Sequence, residues 1–102
     1  MNLNEMIDKD YEPLIPFFIE NQKQVFEEME DALTTRDMDH MKFLAHRLKG
    51  TAENYGFKQL GEYAHELERL VENNETEGVQ NLIVNMKTYL DHVKIIYIEI
   101  LR

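Results

Sequence analysis

The sequence predicts an all-α domain: an antiparallel up-down four-helix bundle with a short extra N-terminal helical turn. Three observations predict it. Four stretches carry apolar residues three and four positions apart, the repeat of a single helical face. The breaks between them are only two to four residues long, which folds each helix back against its predecessor. Four glycines and two prolines among 102 residues leave helix formers dominant, and 43% apolar residues suffice for one core. A single domain over 1–102 is expected.

Leu3, Met6 and Ile7 stand at helical spacing and predict the extra turn, covering one end of the fold. Asp10 suits the N-cap of a first helix over 13–34, with Pro13 and Pro16 in its opening turns, where N–H groups have no intrahelical partner. Its stripe is Phe18, Val25, Met29 and Ala32/Leu33, interrupted by Gln22. Asp37 is the expected N-cap of the second helix, which ends near Tyr55 with Gly56 as the left-handed residue beyond it. A third helix over 58–73 buries Leu60, Ala64, Leu67 and Val71. Asn73-Asn74 breaks it, and Asn74 with Glu77 resembles a capping box for the last helix. That helix is read as one seam from Val79 through Leu82/Ile83, Met86, Tyr89/Leu90, Val93 and Ile96/Tyr97 to Ile100. Its end is apolar nearly all round. Cover by the N-terminal turn, excision from a longer protein, or pairing of two copies would each account for that.

Charge narrows the function classes. A net charge of −9 opposes nucleic-acid and anionic-membrane partners, which call for basic surfaces. The absence of cysteine excludes disulfides, zinc–thiolate sites and thiol catalysis. The polar, acidic first ten residues do not read as a signal peptide, and no apolar run approaches a membrane span. The expectation is a cytoplasmic monomer, for which the Asn74-Glu75-Thr76 sequon is a chance match.

The chemistry gathers on Ala45-His46-Arg47-Leu48-Lys49-Gly50-Thr51-Ala52. At about 100° per residue, Met41, Ala45, Leu48, Ala52 and Tyr55 fall opposite His46, while Lys49, Gly50 and Glu53 fall within about 60° of it. A lone surface histidine is ordinarily just that. Here Lys49 sets a cation one turn away, and Gly50, which costs a helix interior roughly 1 kcal/mol against alanine, clears a side chain from the same face. A neutral imidazole is a competent nucleophile at cellular pH. Nucleophile, charge compensation and open access are what a phosphoryl relay requires. His40 and His92 have no such neighbours and are read as surface residues. Glu62-x-x-His65 is half of a di-iron motif with no second copy, so no metal site is expected.

His46-Arg47-Leu48-Lys49-Gly50-Thr51-Ala52 resembles the His-x-Leu-Lys-Gly-Ser/Thr-Ala signature of histidine-containing phosphotransfer (HPt) domains. The likeness extends to Asn54-Tyr55-Gly56-Phe57 and Leu60, and His65-Glu66-Leu67-Glu68 is similar to the second bundle helix of the phosphotransfer domain of chemotaxis-type histidine kinases. Tyr55 stands where many relatives carry leucine or phenylalanine.

The resemblance implies that His46 is reversibly phosphorylated and exchanges the group with an aspartate on the receiver domain of a response regulator or hybrid kinase. The receiver supplies Mg²⁺, so this chain needs no cofactor of its own. It further implies that Glu68, on the border of the third helix's stripe with Gly61 and His65, accepts a hydrogen bond from His46 Nδ1–H and leaves Nε2 as nucleophile. His65 would join that network; otherwise both are solvated surface residues. The four glycines form no nucleotide loop, so the phosphoryl group must come from another protein rather than from ATP. The contrasting possibility is a helical bundle that binds a receiver or kinase without phosphorylation, for which the Lys49-Gly50 pair has no use.

Overall fold

A computed structural model describes residues 3–100. Its order is β1 (Asn4–Asp8), a 3₁₀ turn (Lys9–Leu14), α1 (Ile15–Thr34), α2 (Met38–Tyr55), α3 (Lys58–Glu72), α4 (Thr76–His92) and β2 (Lys94–Ile98). The four helices form the expected bundle, elongated at 43 × 23 × 21 Å. Their stripes meet in one core: Phe18, Phe26 and Met29 of α1; Met41, Leu44, Ala45, Leu48 and Ala52 of α2; Leu60, Ala64 and Leu67 of α3; and Val79, Ile83, Met86 and Tyr89 of α4. Gln22, which breaks the apolar pattern of α1, is buried as well.

Local chemistry sets most boundaries as expected. Asp37 accepts the His40 N–H at 3.1 Å and starts α2. Gly56, at φ 88°, ends it in the left-handed conformation, with its N–H returning to the Ala52 and Glu53 carbonyls. Two caps differ. Asp10 lies inside the 3₁₀ turn rather than capping α1, and Asp8 accepts the Asp10 N–H at 3.0 Å instead. The Asn74/Glu77 capping box does not form: Asn74 turns left-handed at φ 58°, and Glu75 takes the N-cap position without a side-chain hydrogen bond.

The larger correction concerns both ends of the chain. Leu3, Met6 and Ile7 do not make a helical turn; the extra turn falls just after them, at Lys9–Leu14. Nor does the last helix reach Ile100; it stops at His92. The two terminal segments pair as parallel strands, Asn4 opposite Lys94 through Asp8 opposite Ile98. The run Ile95-Ile96-Tyr97-Ile98, β-branched or aromatic throughout, has strand propensity, and its all-round apolar character is that of a paired strand rather than a helix face. In β1 the period is two: Glu5 and Ile7 are buried, Asn4 and Met6 exposed. The excess apolar surface at the C-terminal end is thus covered from the N-terminus, as a strand.

β1 also supplies what α3 lacks. Phe57 precedes α3 and has no side-chain cap to offer. The Glu5 carboxylate, itself buried, accepts the Gln59 N–H at 3.0 Å, satisfying one orphan donor of the first turn with a charge of the sign the helix dipole favours. The same oxygen accepts the hydroxyl of buried Tyr89 from α4. Burial first, and the Glu5 carboxylate second, hold that phenol protonated far above its ordinary range.

Candidate functional site

The α2–α3 pair is the most extensive packing in the bundle, and small residues make it close. Gly61 is buried against α2: a Cβ there would lie 3.6 Å from the Glu53 side chain and 4.0 Å from the Ala52 Cβ. Ala52 faces Gly61 from the other side of the seam, and Ala45 and Ala64 are buried in the same core. Close approach brings the borders of the two helices within hydrogen-bonding reach across the solvent-facing edge.

His46 stands on that edge. It lies on α2, about 15 Å along the helix from the Gly56 turn, with its side chain 77% exposed. Its Nδ1 is 2.9 Å from Glu68 Oε2, whose side chain is only 16% exposed. A carboxylate accepts and cannot donate, so this contact selects the tautomer with the proton on Nδ1. The other ring nitrogen, Nε2, then carries a free lone pair. The imidazole is oriented from behind and open in front.

The neighbouring residues divide into those the structure brings to this face and those it does not. Lys49 lies one turn on, half-buried, and no carboxylate pairs with it among the described residues. Gly50 faces open space: a Cβ there would meet nothing within 4 Å, so no packing constraint calls for glycine. Lys42 reaches Glu72 at 3.5 Å, and Arg47 reaches Glu28 at 4.0 Å, both at the surface. His65 is exposed, and among the described residues no hydrogen bond joins it to His46 or Glu68. His40 stacks on Phe43, and His92 Nδ1 contacts the Thr88 carbonyl at 2.9 Å; both are surface residues. No group of three or more metal-binding side chains occurs among the described residues.

A concavity of about 500 Å³ lies between the α1–α2 connection and the start of α4. It holds neither His46 nor Glu68. A group exchanged between two proteins needs a nucleophile that projects from an open face, not one enclosed in a pocket.

One neighbour has no place in the expectations drawn from the sequence. Phe43, one turn before His46 and about 60° around the same face, is 57% exposed. The Arg47 guanidinium lies over its ring, 5.5 Å from the centroid. The available signal was an aromatic residue interrupting the polar face of α2.

The bundle thus presents an oriented imidazole on an open face, with a lysine and an unobstructed glycine beside it. The chain belongs to the Hpt domain family, whose model matches residues 14–95. It is therefore a phosphocarrier of the two-component phosphorelay type, an intermediate that passes on a phosphoryl group rather than drawing one from ATP. The family's usual phosphorelay partners are receiver domains. No curated protein and no solved structure gives a match.

No helix among the described residues is long and apolar enough to cross a membrane.

Proposed function

We propose that His46 is the phosphoacceptor of a single phosphotransfer domain spanning 1–102, that it exchanges its phosphoryl group with the aspartate of a receiver domain, and that it works in the cytoplasm. The contact between His46 Nδ1 and Glu68 Oε2 at 2.9 Å carries this reading, because it supports a free Nε2 on an exposed ring. In the forward step the Nε2 lone pair attacks the phosphorus of the receiver's aspartyl phosphate. The P–N bond forms as the P–O bond to the carboxylate breaks, and the electron pair leaves on that carboxylate. Because Nδ1 keeps its proton, the phosphorylated ring is an imidazolium, and the Glu68 carboxylate balances its new positive charge.

Lys49 compensates the negative charge of the phosphoryl group in flight, and Gly50 leaves room for the receiver's loops. Mg²⁺ belongs to the receiver, so this chain contributes positioning and charge. Among the described residues no hydrogen bond ties His65 to this site.

The test is acid-labile labelling by a panel of phosphorylated receiver domains. His46→Gln is expected to fold as the parent does and to lose all label. Label retained in that variant but lost in His65→Gln would overturn the assignment.

A further inference from the structure

An open nucleophile needs a means of choosing its partner, and Lys49, Gly50 and Glu68 do not provide one: they serve charge, access and the imidazole. The exposed large apolar side chains of the described residues are scattered. Leu14 and Phe17 lie near the start of α1, Val84 on α4, Met6 and Ile96 on the terminal strands, and Ile100 just beyond β2. Phe43 alone among them shares the face of α2 that carries His46.

Phe43 is also held rather than loose. The Arg47 guanidinium sits over its ring at 5.5 Å, and the His40 ring stacks nearly parallel to it, 18° between planes and 6.2 Å between centroids. Cation and imidazole together favour one orientation of the phenyl group in the free protein, which lowers the ordering cost on binding. Arg47 is half-exposed and its only carboxylate among the described residues, Glu28, is at 4.0 Å, so its charge is available to a partner. From Arg47 and Glu28 a groove of about 280 Å³ runs between α1 and α2, lined by Gln24, Val25, Leu48 and Thr51 among others.

We propose that Phe43 and Arg47 form the docking anchor for the receiver domain, selecting receivers that present an apolar side chain flanked by an acidic one. This rests on the phosphocarrier reading above. In-line transfer puts the partner's carboxylate against His46 Nε2, and a surface that reaches this atom also covers a side chain one turn away on the same face. Covering Phe43 removes an exposed aromatic ring from water at the centre of a contact, where aromatic and arginine anchors dominate binding. Arg47 at its edge supplies the charge selection: it attracts an acidic neighbour and opposes a basic one.

The experiment compares two phosphoryl donors. Phosphoramidate is small and needs no docking surface, whereas an acetyl-phosphate-charged receiver domain, the fastest donor from a panel, needs one. In Phe43→Ala, labelling of His46 by phosphoramidate is expected to match the parent, because that donor does not dock through the ring. With the receiver, the half-saturating concentration is expected to rise about tenfold or more, with the saturating rate within about twofold. Phe43→Met, which restores apolar bulk, is expected to recover most of the loss. Arg47→Ala is expected to weaken half-saturation less and to flatten its salt dependence.

Unchanged half-saturation in Phe43→Ala, while both donors still label His46, would overturn the anchor and leave the phosphocarrier reading standing. A fall in saturating rate alone would also overturn it, since the ring would then act on the reaction and not on docking. Failure of both donors to label His46 in the parent protein would sink the phosphocarrier reading, and the anchor with it.

Discussion

Two carboxylates reach across helices in this domain, and their settings are opposite. Glu68 on α3 holds an imidazole that is 77% exposed, at the open edge of the bundle. Glu5 on β1 holds the Gln59 N–H and the Tyr89 hydroxyl, at the closed end, and is itself buried. A contact whose imidazole stands in solvent contributes little to stability because water competes for that ring. A buried carboxylate with two donors is different, since any donor removed leaves it unsatisfied in a medium that cannot replace the bond. The first contact is thus free to serve chemistry; the second serves the fold. Mutations at the two sites are expected to separate activity from stability.

The largest effect is expected at the closed end. Tyr89→Phe removes one of the two donors to Glu5 and is expected to cost about 2 kcal/mol in urea denaturation. The folded parent remains a substrate for phosphorylation below its transition, and so does the variant. The pH dependence has a definite sign. Burial and Glu5 raise the Tyr89 phenol above its unfolded value near 10. The contribution is therefore complete below about pH 10 and lost as pH rises beyond it, when the unfolded chain ionises and the folded one does not, at up to about 1.4 kcal/mol per pH unit. Subtracting the stability profile of Tyr89→Phe from that of the parent isolates this slope. Equal alkaline profiles for the two proteins would mean that neither burial nor Glu5 holds the phenol protonated.

At the open face the order reverses, with a small effect on stability and a larger one on transfer. Glu68→Gln keeps the shape and removes the charge. It is expected to change stability by less than about 1 kcal/mol and to slow transfer from a receiver about tenfold. Ring nitrogen shifts of His46 report the cause directly: the parent is expected to show the proton on Nδ1, the variant a mixture of tautomers. A tautomer population identical in both proteins would make Glu68 a plain surface charge despite its 2.9 Å contact.

The two regions were also unequally legible in the sequence. The face proposed for phosphotransfer has local determinants: His46, Lys49 and Gly50 fall within five residues of one helix, and periodicity places them together. The position of Glu68 on the border of the α3 stripe follows from the same periodicity, although its contact depends on how closely Gly61 and Ala52 let two helices approach. The clasp at the closed end could not be read this way. It joins residues more than 80 positions apart, Glu5 with Tyr89 and Asn4 with Lys94, and over five residues Leu3, Met6 and Ile7 fit helical spacing as well as a strand. Ile95 to Ile98 betrayed itself only as an apolar excess. Phe43 is illegible for another reason: one aromatic on a polar face carries no period, and only its exposure in the fold and its partners Arg47 and His40 distinguish it.

The smallest effect, and the sharpest on the open face, concerns Gly50. A Cβ at this position meets no atom within 4 Å, and the residue is not among those with positive φ. Gly50→Ala therefore introduces no clash and no backbone strain, while restricting the unfolded chain. The variant is expected to gain up to about 1 kcal/mol, visible as a later urea midpoint at constant slope. Gly61→Ala provides the contrast within the same helix pair: its added Cβ comes to 3.6 Å of the Glu53 side chain and 4.0 Å of the Ala52 Cβ, ordinary contact in a filled seam, so the gain there is expected to be smaller. Gly50→Gln then separates access from stability. With open space around it, the longer side chain leaves the bundle folded, but it occupies the ground one turn from Nε2 that a receiver must enter. Slower transfer from the receiver, with phosphoramidate labelling retained, is the expected outcome. If Gly50→Gln unfolds the domain, glycine serves packing; if it transfers at the parental rate, the open ground beside His46 has no part in admitting the partner.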